Sequence, residues 1–126
     1  LTEDEVESRA REAHALVRLD ESFYKQSPFE LSGGEKRRAA LAGIIVMRPK
    51  YLVLDEPMAG LDPLGRRDIL DTIDNLRATL GCAVVMVSHS MDDMADRAER
   101  VAVLSNGSLL RIGTTAEIFG DAEFLI

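Results

Sequence analysis

A chain of 126 residues with 46% hydrophobic and 29% charged side chains has ordinary globular composition and enough apolar material for a sizeable core. Its formal net charge of −7 argues against nonspecific binding to nucleic acid, whose phosphates favour basic surfaces. No apolar run approaches the roughly 18 to 20 residues that span a bilayer, the opening LTEDEVESRAREAH is too acidic for a signal peptide, and the single Cys82 admits no internal disulfide, so the sequence predicts a cytosolic chain whose membrane association is peripheral.

Thr2 with Glu5 three residues on reads as a capping box, and Val6, Ala10, Ala13 and Val17 recur at helical spacing, which predicts an amphipathic first helix. LDESFYKQSPFE breaks the pattern with Pro28 and polar residues. Ser32 and Glu35 repeat the capping pattern and open a second helix to about Arg48, stopped by Pro49. Two glycines, Gly33 and Gly34, begin that helix, which suits a close approach to its first N–H groups. A plain N-cap explains the same residues.

YLVL, from Tyr51 to Leu54, reads as a strand buried on both faces, ending abruptly at Asp55 and Glu56. Asp62 and Pro63 suit the N-cap and first position of a helix whose apolar stripe is Ile69, Ile73, Leu76 and Leu80, closed by Gly81. CAVVMV predicts a second buried strand, with Cys82 a buried reduced thiol, followed by SHS; Ser90 then caps MDDMADRA, with Asp92 and Asp93 in its first turn. RVAVL and LLRIG flank SNGS, where Asn106 and Gly107 supply the positive φ of a type I′ hairpin, and a short final helix starts at Thr115. Strands alternating with helices predict an α/β fold with a parallel sheet and one antiparallel hairpin.

In open parallel sheets ligands sit at the carboxyl ends of strands. Those ends here carry Asp55 and Glu56, and then His89, groups that suit a phosphate-and-metal reaction. Adjacent carboxylates on an extended chain point in different directions, so one can hold a hydrated Mg²⁺ while the other polarises water. Equally, acids end strands because they face solvent, and a lone histidine serves as a structural hydrogen-bonder. Lys36, Arg37 and Arg38, three cations within one helical turn, read as a solvated face rather than a nucleic-acid patch.

The succession LSGGE, YLVLDEP, AGLDP and VSHS resembles, over essentially the whole chain, the distal half of an ATP-binding cassette (ABC) ATPase: an LSGGQ-like signature, a Walker B strand with its glutamate, a D-loop and an H-loop. Within that family SPFELSGGEKRRAALAGIIVMRPKYLVLDEPMAGLDP is most similar to the ATPase subunits of energy-coupling-factor (ECF) importers, which take up vitamins and transition-metal ions. The resemblance implies that Ser32, Gly33, Gly34 and Glu35 face ATP held by an opposite subunit, that Asp55 acts on Mg²⁺ through water, and that Glu56 orients and deprotonates the attacking water. It further implies that His89 contacts the γ-phosphate and that Asp62 crosses a dimer interface. Glu35 and Met58 depart from the Gln and Thr of many members.

The same resemblance implies a partial P-loop NTPase-type fold, with residues 1–48 part of a helical subdomain bearing the signature and 49–126 the distal part of a RecA-like core. A G-x-x-x-x-G-K-[ST] motif is absent, so the chain is expected to be the C-terminal half of a longer ATPase and inactive alone. The expected partners are a second ATPase subunit, identical or homologous, and a transmembrane transporter subunit, on the inner face of the cell membrane, with no nucleic acid. A missing sheet strand would be replaced by the hairpin pairing with CAVVMV or by a second copy, which favours a homo-oligomer. A nucleic-acid-handling ABC ATPase and a non-catalytic interaction module are the alternative readings.

Overall fold

The computed structural model describes residues 2–120. They form two compact units divided after Val87. The first holds α1 (Glu3–Leu16), α2 (Gly33–Ile45), β1 (Tyr51–Asp55), α3 (Pro63–Leu80) and β2 (Ala83–Val87). The second holds α4 (Met91–Arg97), β3 (Arg100–Ser105), β4 (Ser108–Thr114) and α5 (Thr115–Phe119).

In the first unit the helix starts follow local chemistry. Thr2 and Glu5 close a capping box on α1, and Ser32 and Glu35 close one on α2. Asp62 accepts from the Gly65 N–H at 2.8 Å, with Pro63 at the first helical position of α3. Gly81 ends α3 at φ 63°, a left-handed conformation that costs glycine no steric clash. Helix α2 stops at Ile45, three residues short of the expected Arg48. LDESFYKQSPFE forms two 3-10 turns, Glu21–Lys25 and Pro28–Glu30.

The core of this unit joins Val17 of the α1 exit, Leu41 and Ile45 of α2, Leu52 and Leu54 of β1, and Ile69, Ile73 and Leu76 of α3. Burying a side chain of this size stabilises the fold by roughly 1.5–3 kcal/mol. Helices α1 and α2 pack on each other and both on α3, so the residues before position 48 share a unit with the β1–β2 pair. Cys82 is buried, as expected.

Strands β1 and β2 pair in parallel, Tyr51 opposite Ala83 through Asp55 opposite Val87. The expectation of two buried faces is corrected here. Leu52 and Leu54 are buried, but Tyr51 is 76% exposed, Val53 66% and Val85 55%. A hydrophobic run fixes a strand's appetite for burial, whereas its coverage depends on what lies across the sheet, and within the first unit Leu52 and Leu54 are the β1 residues that join the core with the helices.

In the second unit β3 and β4 pair antiparallel, turned by Asn106 at φ 49° and Gly107 at φ 76°, with a register shift between Val103 and Leu104. Among the described residues the hairpin makes its own two-stranded sheet, so the expected pairing of the hairpin with CAVVMV is corrected. Ser90 stands at the N-cap of α4 without a side-chain cap bond; its backbone N–H donates to the Ser88 hydroxyl at 3.1 Å. Among the described residues no helix is long and apolar enough to cross a membrane.

Candidate functional site

The Ser32–Glu35 segment forms the first turn of α2. Ser32 Oγ accepts from the Glu35 N–H at 3.3 Å, and Glu35 Oε2 accepts from the Ser32 N–H at 2.7 Å. The Ser32 N–H first, and the Ser32 hydroxyl second, hold the Glu35 carboxyl below its ordinary value. By helix geometry the N–H groups of Gly33 and Gly34 have no intrahelical acceptor, and they stand at the positive end of the helix dipole. Around Gly34 nothing lies within 4 Å of where a Cβ would sit. Gly33 is exposed and Gly34 half-buried, and neither carries a side chain to cover that helix end.

Asp55 ends β1 and is exposed; Glu56, half-buried, follows in a left-handed conformation at φ 44°. Few residues other than glycine adopt that conformation, and those that do are held there by their surroundings. Here the Glu56 N–H donates to the Val87 carbonyl at 2.9 Å, so the turn is tied to the carboxyl end of the neighbouring strand. The turn closes through Ala59 N–H to Glu56 O at 3.1 Å and Leu61 N–H to Met58 O at 3.2 Å, with Met58 buried. Asp62, exposed, then caps α3.

The start of α2 and this turn meet. The Leu61 side chain lies 3.8 Å from a Cβ built on Gly33. Arg37 donates from both terminal nitrogens to the carbonyls of Pro57 and Ala59. Ser32, Gly33, Gly34, Glu35, Asp55, Glu56 and Asp62 all belong to the first unit. His89 lies two residues beyond β2, in the second unit, and is exposed.

Arg37 and Arg38 correct the expectation of a solvated cationic face. Lys36 is exposed, but Arg37 is half-buried on the turn, and Arg38, 18% exposed at its side chain, bonds Asp68 of α3, which also faces Arg18 at 3.6 Å. Helical spacing carried the signal: Arg38 stands three, four and seven residues before the buried Leu41, Ala42 and Ile45, and Arg37 stands four before Leu41.

Among the described residues no three or more His, Cys, Asp or Glu side chains cluster to cage a metal. An exposed Asp55 beside Glu56 does fit Mg²⁺, which keeps several waters and is bound through one or two carboxylates together with substrate phosphates.

The ABC transporter family model matches residues 2–59. Two curated relatives, the energy-coupling factor transporter ATP-binding proteins EcfA2 of Latilactobacillus sakei and of Clostridium perfringens, are each 49% identical to the chain. Those alignments take in 98% and 99% of the chain but 42% and 44% of the relatives, so the chain spans less than half their length. The solved structure of cbiO1 from Clostridium perfringens, described as part of the ABC transporter complex cbiONQ, matches with TM-score 0.89 and 33% identity over 99% of this chain and 49% of that one. An ATP-binding cassette of another ABC transporter, in its ADP conformation, shares the fold at TM-score 0.87 and 24% identity, over 99% of this chain and 50% of that one.

Proposed function

Because the chain belongs to the ABC transporter family, we propose that it supplies an import ATPase with its water-activating carboxylate and with a helix start that an opposing subunit's nucleotide meets. Residues 1–48 then belong to the helical subdomain and 49–126 to the distal part of the ATPase core. The ECF names of the relatives support uptake as the direction of transport, with a vitamin or transition-metal ion as cargo. The partners in this reading are a second ATPase subunit and a transmembrane subunit, and the location is peripheral, on the inner face of the cell membrane.

The carboxylate turn carries this reading. Glu56 is held in a left-handed conformation at the carboxyl edge of a parallel strand pair, beside an exposed Asp55. Glu56 orients a water in line with the γ-phosphate and takes its proton. Asp55 would hold Mg²⁺, and the ion would supply neutralisation of charge on the transferring phosphoryl group. His89 contacts the γ-phosphate, while Ser32, Gly33 and Gly34 present donors to it from the opposite subunit and Asp62 reaches across the interface. Glu35 adds a carboxylate near the incoming anion, which weakens nucleotide affinity.

A positioned general base contributes roughly 10²- to 10⁴-fold in rate. In the complete ATPase subunit, Glu56→Gln is expected to retain ATP binding and lose hydrolysis by about that factor; unchanged turnover would remove Glu56 from the role. The chain by itself is expected to show no steady turnover, since its sequence contains no phosphate-cradling G-x-x-x-x-G-K-[ST] loop.

The exposed Tyr51, Val53, Val85 and Val87 face of the β1–β2 pair supports self-association of the isolated chain. Light scattering across a concentration series is expected to show a mass above that of one chain. A monomer at every concentration overturns the proposal.

A further inference from the structure

Arg37 lies one helical turn after Gly33 on α2, and its fork spans the turn that separates Glu56 from Asp62. One arm of the guanidinium donates to Pro57 O and the other to Ala59 O. Other anchors of the turn include Glu56 N–H on Val87 O, the buried Met58 side chain, and the internal bonds Ala59 N–H to Glu56 O and Leu61 N–H to Met58 O. Reversed backbone at both ends, Glu56 at φ 44° and Gly60 at φ 73°, leaves the carbonyls of Pro57 and Ala59 available to α2. A planar, permanently charged fork satisfies two such acceptors together. The neighbouring cations do other work, Lys36 in solvent and Arg38 on Asp68.

We propose that Arg37 is a positioning residue that couples the glycine start of α2 to the Asp55–Glu56 turn. Leu61 lies within van der Waals reach of a side chain added at Gly33, and Arg37, one helical turn on, grips the backbone at Pro57 and Ala59, so a shift of the helix start when Gly33 and Gly34 meet a phosphate is carried to Glu56 and to the Asp62 cap. The effect of this coupling on turnover rests on the reading of Glu56 as the water-activating base.

The test compares Arg37→Ala, Arg37→Lys and Glu56→Gln in the complete ATPase subunit, with ATP as the probe. Arg37→Ala is expected to lower kcat by about 10- to 100-fold, the scale of a small misplacement of a catalytic group, with KM for ATP nearly unchanged. Arg37→Lys recovers part of the rate, because an ammonium donates to both carbonyls without the planar fork. Unchanged kcat in Arg37→Ala beside an inactive Glu56→Gln overturns the coupling and leaves the base assignment standing. Parallel losses of kcat, ATP affinity and thermal stability in both Arg37 variants also overturn it, since they mark a merely structural residue. An unimpaired Glu56→Gln removes the base assignment instead. The coupling then stands or falls on hydrogen exchange: ATP is expected to alter protection of the Ala59 and Leu61 amides in the parent and not in Arg37→Ala, and the same response in both overturns it.

Discussion

At the start of α2, Ser32 Oγ accepts from the Glu35 N–H at 3.3 Å and the Ser32 N–H donates to Glu35 Oε2 at 2.7 Å; at the start of α5, Thr114 and Glu117 make the same two bonds at 3.3 and 2.7 Å. In both boxes the cap residue's N–H first, and its hydroxyl second, hold the glutamate below its ordinary value of 4.5. The next residues differ. After Thr114, the Thr115 N–H donates to Glu99 O at 3.2 Å and its hydroxyl donates to Ala98 O, so the first turn of α5 is consumed in holding the second unit together. After Ser32 come Gly33 and Gly34, with open space around Gly34. A capping box therefore marks only where a helix begins. Small residues and open space around the first turn separate a start that suits a ligand from one that serves the fold.

The largest effect expected to test that contrast comes from placing a carboxylate at the second helical position of each start. Gly34 is not in a left-handed conformation, and Asp near a helix N-terminus is favourable by about 0.3–1 kcal/mol. Gly34→Asp should therefore leave the melting temperature unchanged or slightly raised. In the complete subunit it should also weaken ATP-driven dimerisation by at least about tenfold, because desolvated like charges repel by several kcal/mol. Ala116→Asp, at the equivalent position of α5, should share the first outcome and lack the second. Equal ATP-driven association in the two variants, measured by sedimentation, would mean that the glycine start faces no phosphate.

Features set within a few residues were legible in the sequence: the Thr2, Ser32 and Asp62 caps, the Gly81 stop and the Asn106–Gly107 turn each follow from a side chain bonding to, or a backbone bending at, its own neighbourhood. Features set across the fold were not. YLVL reads alike whether one face or two is covered, and Ser90 holds the N-cap position of α4 without the side-chain bond its residue type predicts. Arg37 reads as part of a solvated face for a similar reason. Its acceptors are backbone carbonyls about twenty residues on, which no side-chain pattern announces, and only its spacing from Leu41 placed it on the inward face. For the candidate site, the motif residues could be named from the sequence, while the element joining them required the fold.

The smallest expected effect concerns the two glutamates themselves. Each has a folded pKa below the ordinary 4.5, so its contribution to stability is present above that value and fades as pH falls through the lowered one. Both carboxylates are solvent-screened, which keeps the contribution small. Glu35→Gln and Glu117→Gln retain a side chain that can close the box but remove the proton linkage, so each should slightly flatten the acid limb of melting temperature against pH, to a similar extent. In the complete subunit only Glu35→Gln should also tighten ATP-driven association, because it removes a negative charge beside an incoming phosphate, and that gain should shrink as salt screens the charge. An identical ATP response in the two variants, with their acid limbs flattened alike, would make the α2 start no more than a second copy of the α5 cap.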